Sequence, residues 1–253
     1  MEPLVTVAIP SFNQSDYLQE ALNSIYEQSS VSVEICVADG GSTDGSKELI
    51  ENNSNHLKWH QSKVDDGQSY AVNVCVKNGT APYICWLNSD DLLMPNALSE
   101  MTQYLENHPD TPAVYGNAYH VDHNGVISGR YYTQLFSQNA LAMRCIICQP
   151  AVLIRRSVWE QLGGLDESLN MSMDYDLWWR IYRKFGELDH IPNYVAKSRI
   201  HGATKTNSFR KLHYQESVGI VAKYRRLYLW YWYLKWPWSV WYKSLSNKFR
   251  YSN

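Results

Sequence analysis

Tyr83-Ile84-Cys85-Trp86-Leu87-Asn88-Ser89-Asp90-Asp91 is an apolar run of strand length that ends on two adjacent carboxylates. Two acids side by side at the carboxyl end of a buried strand repel each other. A divalent cation with oxygen ligands would offset that charge and in turn attract a diphosphate. The competing reading is a plain turn, with Asp90 and Asp91 capping a helix opened by Pro95.

Outward from this run, strand-like and helix-like segments alternate. Leu4 to Pro10, Val33 to Ala38, Leu57 to His60 and Tyr83 to Leu87 read as strands. Between them, Asp16 to Gln28, a segment starting near Asp44, and Gln68 to Lys77 read as helices. This rhythm predicts an α/β fold with a Rossmann-like, mostly parallel central sheet flanked by helices. Ligands on such sheets bind outside the carboxyl ends of the strands. The polar stretches Ser11 to Ser15, Asp39 to Ser46 and Asn88 to Asp91 all fall at those ends.

Further along, Ala113 to Val121 and Val126 to Tyr132 flank Asn124-Gly125, a hairpin turn signal. A helix, the strand Ala151 to Ile154, and Val158 to Leu162 before the Gly163-Gly164 break are expected next. Asp174 to Lys184 carries apolar residues at helical spacing. Residues 225–253 change character, with five of the ten tryptophans lying between Arg225 and Lys243 among tyrosines and basic residues. Such aromatic and basic chemistry suits a bilayer interface, and Lys235 and Pro237 interrupt the run too early for a span. Packing on the main domain or on a second copy as a homodimer is the alternative. The expected division is therefore a domain over 1–224 and a helical membrane-interface segment over 225–253.

At 253 residues the chain can bury one substantial core, and 45% hydrophobic against 19% charged residues fits a globular protein. A formal net charge of −2 gives no reason to expect a nucleic-acid partner. The N-terminus enters a strand-like run with no basic or cleavable apolar stretch, so a cytoplasmic location is expected. Five cysteines, Cys36, Cys75 and Cys85 among them inside apolar runs, read as reduced. Cys145-Ile146-Ile147-Cys148 has zinc or redox spacing without a second pair nearby.

Asp39-Gly40-Gly41-Ser42-Thr43-Asp44-Gly45 follows its strand directly. The glycines permit close backbone approach, and an acid at a strand end can accept hydrogen bonds from a ribose or a base. A tight strand-to-helix turn capped by Ser42 or Asp44 would use the same residues. The spacing is not G-x-G-x-x-G, which disfavours a Rossmann dinucleotide site.

Five motifs in order carry a resemblance: Ile9-Pro10-Ser11-Phe12-Asn13, Val37 to Gly45, Asp66-Gly67-Gln68, Leu87 to Asp91, and Met173-Asp174-Tyr175-Asp176-Leu177-Trp178. Over about residues 4 to 205 the chain resembles the family 2 glycosyltransferases. These are inverting enzymes of the GT-A fold, and the likeness is to the bacterial branch that builds O-antigen (lipopolysaccharide), capsule or exopolysaccharide. The resemblance implies a nucleotide held by Pro10, Phe12, Asn13 and Asp39, with Asp66, Gly67 and Asn73 as a second donor-binding segment. It places Asp90 and Asp91 at the D-x-D site, where Mn2+ or Mg2+ bridges protein and diphosphate, with Ser89 beside the donor. Asp174 matches the catalytic base, with Asp176 as second choice. His201 would complete the metal shell, and Lys205 would meet the diphosphate. Gln149-Pro150, Tyr175, Trp178 and Trp179 are candidates for the acceptor side.

The sequence departs from the family pattern in three places. Gly40 stands for the second acid of D-D-G-S, Asn88 for the first acid of D-x-D, and Met173 for the usual Glu before the base. The function implied is metal-dependent inverting transfer of a hexosyl or N-acetylhexosaminyl group. The donor would be a nucleotide-sugar, UDP before dTDP or GDP, and the acceptor a hydroxyl of a polyprenyl- or otherwise lipid-linked, growing glycan. Such an enzyme would be peripheral on the inner face of the cell membrane. A sugar nucleotidyltransferase would need a basic glycine-rich loop, and Pro10 to Asp16 has no Lys or Arg. A non-catalytic carbohydrate-binding or scaffold subunit with a degenerate site is the reading from another class.

Overall fold

The computed structural model describes residues 2–202 and 204–242. In chain order the elements begin β1 (Val5–Ser11), α1 (Ser15–Tyr26), β2 (Val33–Asp39), α2 (Ser46–Asn52), β3 (Trp59–Ser62), α3 (Gln68–Asn78) and β4 (Tyr83–Trp86). They continue with β5 (Leu92–Leu93), α4 (Ala97–Asn107), β6 (Ala113–Val121), β7 (Ile127–Arg130), α5 (Gln138–Met143), β8 (Val152–Arg155) and α6 (Arg156–Leu162). The last are α7 (Met173–Phe185), β9 (Asp189–Arg199), α8 (Lys205–Ser208), α9 (Arg210–Tyr224) and α10 (Leu229–Trp236).

Among the described residues the strands form one sheet in the order β3-β2-β1-β4-β8-β6-β9-β5, with β7 on β6. The first four pair in parallel; β8 is antiparallel to both β4 and β6, while β9 runs parallel to β6. Strands β6 and β9 therefore share the direction of β1 to β4, and β5, β7 and β8 oppose it. The parallel half is where the β-α-β rhythm is strict, and the mixed half is where it lapses. One consequence positions the site. The carboxyl ends of β1, β2, β4 and β9 open on the same edge, so Arg199 and His201 arrive beside the acids that follow β4.

Side chains of a strand alternate between faces. Val5, Val7 and Ile9 of β1 join Ile35, Val37, Tyr83 and Cys85 in a core under α1 and α4. Their neighbours Ala8, Cys36, Ala38, Ile84 and Trp86 join α3, α7 and α9 on the other face. With both faces covered, these strands read as continuous apolar runs rather than alternating ones. The Asn124-Gly125 hairpin forms as expected, with Gly125 at φ +79° and β7 antiparallel to β6.

The aromatic segment does not stand apart. Trp232 and Val240 belong to the larger core cluster, the Trp232 indole donates to the Ala142 carbonyl, and the Tyr214 hydroxyl donates to the Trp232 carbonyl. On the outer side Leu227, Trp230, Tyr233, Leu234 and Trp238 are exposed. The expected segment runs past Tyr242, beyond the described residues. No helix among the described residues is long and apolar enough to cross a membrane.

Candidate functional site: an acid-lined cavity at the carboxyl edge of the sheet

Asp90 and Asp91 leave β4 in a turn closed by the Asp91 amide donating to the Asn88 carbonyl. Asp90 Oδ2 lies 3.1 Å from His201 Nε2. Asp91 is buried; its Oδ1 accepts from the Arg199 amide at 2.9 Å and its Oδ2 from the Asn88 side chain at 3.1 Å. Burial and the charge of Asp90 push the Asp91 carboxyl well above the ordinary carboxylate range. Ionising both carboxyls together is therefore unfavourable unless positive charge is added beside them. No cluster of three or more His, Cys, Asp and Glu side chains pre-forms a full metal shell among the described residues. The donor set nonetheless suits a hard divalent cation: the carboxylate of Asp90 and the ring nitrogen of His201 face each other, with Asp91 behind.

Arg199 holds this turn and was not singled out in the sequence. Its side chain is fully buried, with Nε donating to the Asp90 carbonyl at 2.9 Å and Nη1 to the Asp122 and His123 carbonyls at 3.1 Å. Nη2 pairs with Glu20 at 2.6 Å, and the guanidinium sits over the Tyr17 ring. One residue thereby ties α1, the β6–β7 hairpin and the acid turn together. A cation at the end of a strand, two residues before a candidate ligand, was the available signal.

A cavity of about 730 Å³ opens at this edge. Of the residues expected at a donor site, Pro10, Phe12, Gly67, Ser89, Asp90, Asp91 and Lys205 line it, as do Gln149 and Pro150. Lys205 Nζ donates to Gln68 Oε1 at 3.1 Å, which aims a cation at the same space. His201 is buried behind Asp90.

Four expected contacts lie elsewhere. Asp39 is fully buried beneath its own loop and accepts from the Gly41 and Ser42 amides and the Ser42 and Ser62 hydroxyls, so its carboxylate organises the turn. Asn13 accepts from the Thr43 amide, pinning the β1 and β2 loops to each other. Asn73 grips the Leu165 backbone from both sides. Asp66 is exposed, and its neighbour Asp65 lines the cavity in its place.

Asp65 accounts for the first family departure. A Cβ at Gly40 would meet Phe12 Cδ2 at 3.2 Å and Asp65 Oδ1 at 3.3 Å. An acid at position 40 would press a second carboxylate against Asp65. Asp65 Oδ1 accepts from the Gly67 amide while Oδ2 is buried with no partner among the described residues, and burial raises this carboxyl. Beside it the exposed Phe12 ring offers a flat apolar face.

The second departure is equally local. Asn88 Oδ1 accepts from Trp86 Nε1 and Gln68, and its Nδ2 donates to Asp91 and Gln149. An aspartate there would turn the donor facing Asp91 into a third acceptor. Asn88→Asp is expected to lower the melting temperature by about 5 °C without metal, since a buried acceptor loses its donor, with part of the loss recovered in Mn2+. Thermal melts with and without Mn2+ check this.

Asp174 lies in the first turn of α7 and lines the same cavity. Burial pushes its carboxyl up to about 6, against backbone N–H groups that pull it down. Asp176 is committed elsewhere: it is buried, pairs with Arg180 at 2.6 Å and accepts from the Tyr224 hydroxyl at 3.2 Å. Met173, the third departure, is buried against the cavity. Trp178 and Trp179 face the core rather than a sugar, with Trp179 stacked on Tyr224. Cys145 and Cys148 are free thiols whose burial raises them far above a reactive range.

Fold and site together define an α/β scaffold with several acids lining one cavity at the sheet's carboxyl edge. The sequence pattern of the family described as "Glycosyl transferase family 2" matches residues 6–163, more than half of the chain, and the chain belongs to that family. The chondroitin synthase of Escherichia coli is 28% identical over 217 residues, covering 85% of this chain and 31% of that protein. The hyaluronan synthase of Pasteurella multocida is 28% identical over 223 residues, covering 87% of this chain and 22% of that protein. This chain therefore spans about a third or less of those two relatives. Among solved structures, S. aureus TarS 1-349 in complex with UDP-GlcNAc superposes with a TM-score of 0.71 at 15% identity, over 96% of this chain and 78% of that one. The mannosyltransferase PcManGT from Pyrobaculum calidifontis, in complex with GDP-Man and Mn2+, gives 0.66 at 18% identity over 100% and 76%. At such identities these likenesses establish the GT-A type of fold.

Proposed function

We propose that this chain transfers a sugar, with inversion, from a nucleotide-diphosphate donor to a hydroxyl of a growing cell-surface glycan. The observation that carries the reading is one cavity lined by Asp90, Asp91, Lys205 and Asp174 together. Phe12 and the unpartnered oxygen of Asp65 suit a nucleobase or ribose, one by stacking and the other by accepting an N–H or O–H. UDP is the proposed nucleotide, in keeping with the similarly folded S. aureus TarS, solved in complex with UDP and with UDP-GlcNAc. A divalent cation held by Asp90 and His201 would supply positive charge to the departing diphosphate.

The remaining chemistry belongs to the side chains. Asp174 takes the proton of the acceptor hydroxyl as its oxygen attacks the anomeric carbon. The bond from that carbon to the diphosphate oxygen breaks with its electron pair leaving on the diphosphate, where Lys205 meets the charge. One displacement inverts the anomeric centre. Stabilisation of the protein by a panel of UDP-, dTDP- and GDP-sugars, each with Mn2+, Mg2+ or chelator, tests the reading. UDP-sugars are expected to raise the melting temperature only with metal, and Asp90→Ala to abolish that shift. A shift unaffected by chelator and by Asp90→Ala would overturn the metal assignment.

The outer face of the aromatic segment supports a peripheral membrane location and a lipid-linked acceptor. Trp230 and Tyr233 are each more than 60% exposed and Leu234 is 73% exposed, beside the basic Arg225, Arg226 and Lys235. Replacing Trp230, Tyr233 and Leu234 by serine is expected to cut co-sedimentation with anionic vesicles severalfold while leaving the melting temperature within a few degrees. Unchanged vesicle binding would refute the membrane role.

A further inference from the structure

A second cavity, of about 590 Å³, adjoins the first and shares Asp174 with it. The C-terminal segment lines it through Trp232, Lys235 and Trp238, together with Arg144, Arg210 and His213. Among its described lining residues Asp174 is the one carboxylate. The nearby Glu216 does not line it and accepts from the amides of Asn170, Met171 and Ser172, although its charge reaches Asp174 and His213. Two of the cations are held in place by aromatic rings: Arg144 sits 4.1 Å from the Tyr132 ring centre and Lys235 4.0 Å from that of Tyr231. The lining thus carries more cationic than anionic side chains and is partly aromatic.

We infer that this cavity binds the acceptor and that it selects one bearing an anionic group next to the sugar that is glycosylated. Resting on Asp174 as the base, the geometry leads the acceptor hydroxyl to Asp174 and its charge to Arg144 and Lys235. The anion is either the diphosphate joining a first sugar to a lipid carrier or the carboxylate of a uronic acid within a glycan. Both present acidic oxygens that arginine and lysine donors recognise, and both carry an apolar or ring surface for Trp232 and Trp238.

The test is binding to the full chain, followed by tryptophan fluorescence, of three probes: farnesyl-diphosphate-linked N-acetylglucosamine, a glucuronate-containing hyaluronan tetrasaccharide, and neutral chitotetraose. One anionic probe is expected to bind at least about tenfold tighter than chitotetraose, the scale of a charge-assisted hydrogen bond. Arg144→Gln combined with Lys235→Gln should remove that advantage, and Lys235→Arg alone should retain it. The preferred probe tells phosphate from carboxylate. Failure of both anionic probes to bind more tightly than the neutral one, or tight binding that survives the double variant, overturns the inference. UDP binding with Mn2+ on the same samples reads the donor site separately. Its loss would count against the proposed function and leave the acceptor result standing on its own.

Discussion

Asp174→Asn is expected to lower the transfer rate by about 10²- to 10⁴-fold while leaving metal-dependent donor binding intact, the range for loss of a positioned general base. Asparagine fills the same space at the start of α7 and still accepts from the Tyr175 amide, as Asp174 does at 2.7 Å. It cannot take a proton. Because burial raises this carboxyl to about 6, the wild-type rate should fall with a slope of one as pH drops below that value. The same shift has a consequence for stability. A carboxyl raised in the folded state binds more protons there than in the unfolded chain between the unfolded value of 3.8 and about 6, so its contribution to stability declines as pH rises through that window. Asp174→Asn should therefore melt above wild type at pH 8, with the difference narrowing from pH 6 towards 4. A variant that retains activity, or one that melts below wild type at pH 8, would remove Asp174 from the role of buried base.

Arg199→Met should destabilise the chain by about 3–5 kcal/mol, the scale for removing one partner from a buried charged network. In melting temperature that is of the order of 10 °C for a chain of this size. The loss would come from several places at once, because the guanidinium binds three backbone carbonyls and Glu20. The backbone amide of residue 199 still reaches Asp91, so part of the acid turn survives. Arg199→Lys should recover only a fraction, since a single ammonium cannot reach carbonyls on two sides together with Glu20. Paired melts and Mn2+ titrations separate the outcomes: a variant that melts like wild type would refute the stabilising role, and one that melts low yet binds Mn2+ as tightly as wild type would refute a part for Arg199 in orienting the acids.

The legible part of the site lay where short-range chemistry decides. Asp90-Asp91 after an apolar strand, Asp174 at a helix start and Gly67 at another are local patterns, and each of these residues lines the cavity. Asn73, Asn13 and Asp39 show the limit of such reading. Each sits at a matching position, yet each is held by groups that pack on it: the Leu165 amide on Asn73, the Thr43 amide on Asn13, and the Ser42 amide with the Ser62 hydroxyl on Asp39. Whether a polar side chain faces a ligand or a loop depends on what lies opposite it, and Asp65 replaced Asp66 for the same reason.

By itself, then, the sequence determined the alternating elements, the two-faced core and the edge at which polar residues gather, because periodicity and strand direction follow from neighbours along the chain. Tertiary structure alone decided three things. The reversed β8 carries β6 and β9 back into the direction of β4, which brings Arg199 and His201 to Asp90. The Asp65 carboxylate, from a different loop, lies where a side chain at position 40 would project. The aromatic segment turns one face to the core and walls a second cavity beside Asp174. Each depends on residues dozens to more than a hundred positions apart coming into contact, which local pattern cannot encode.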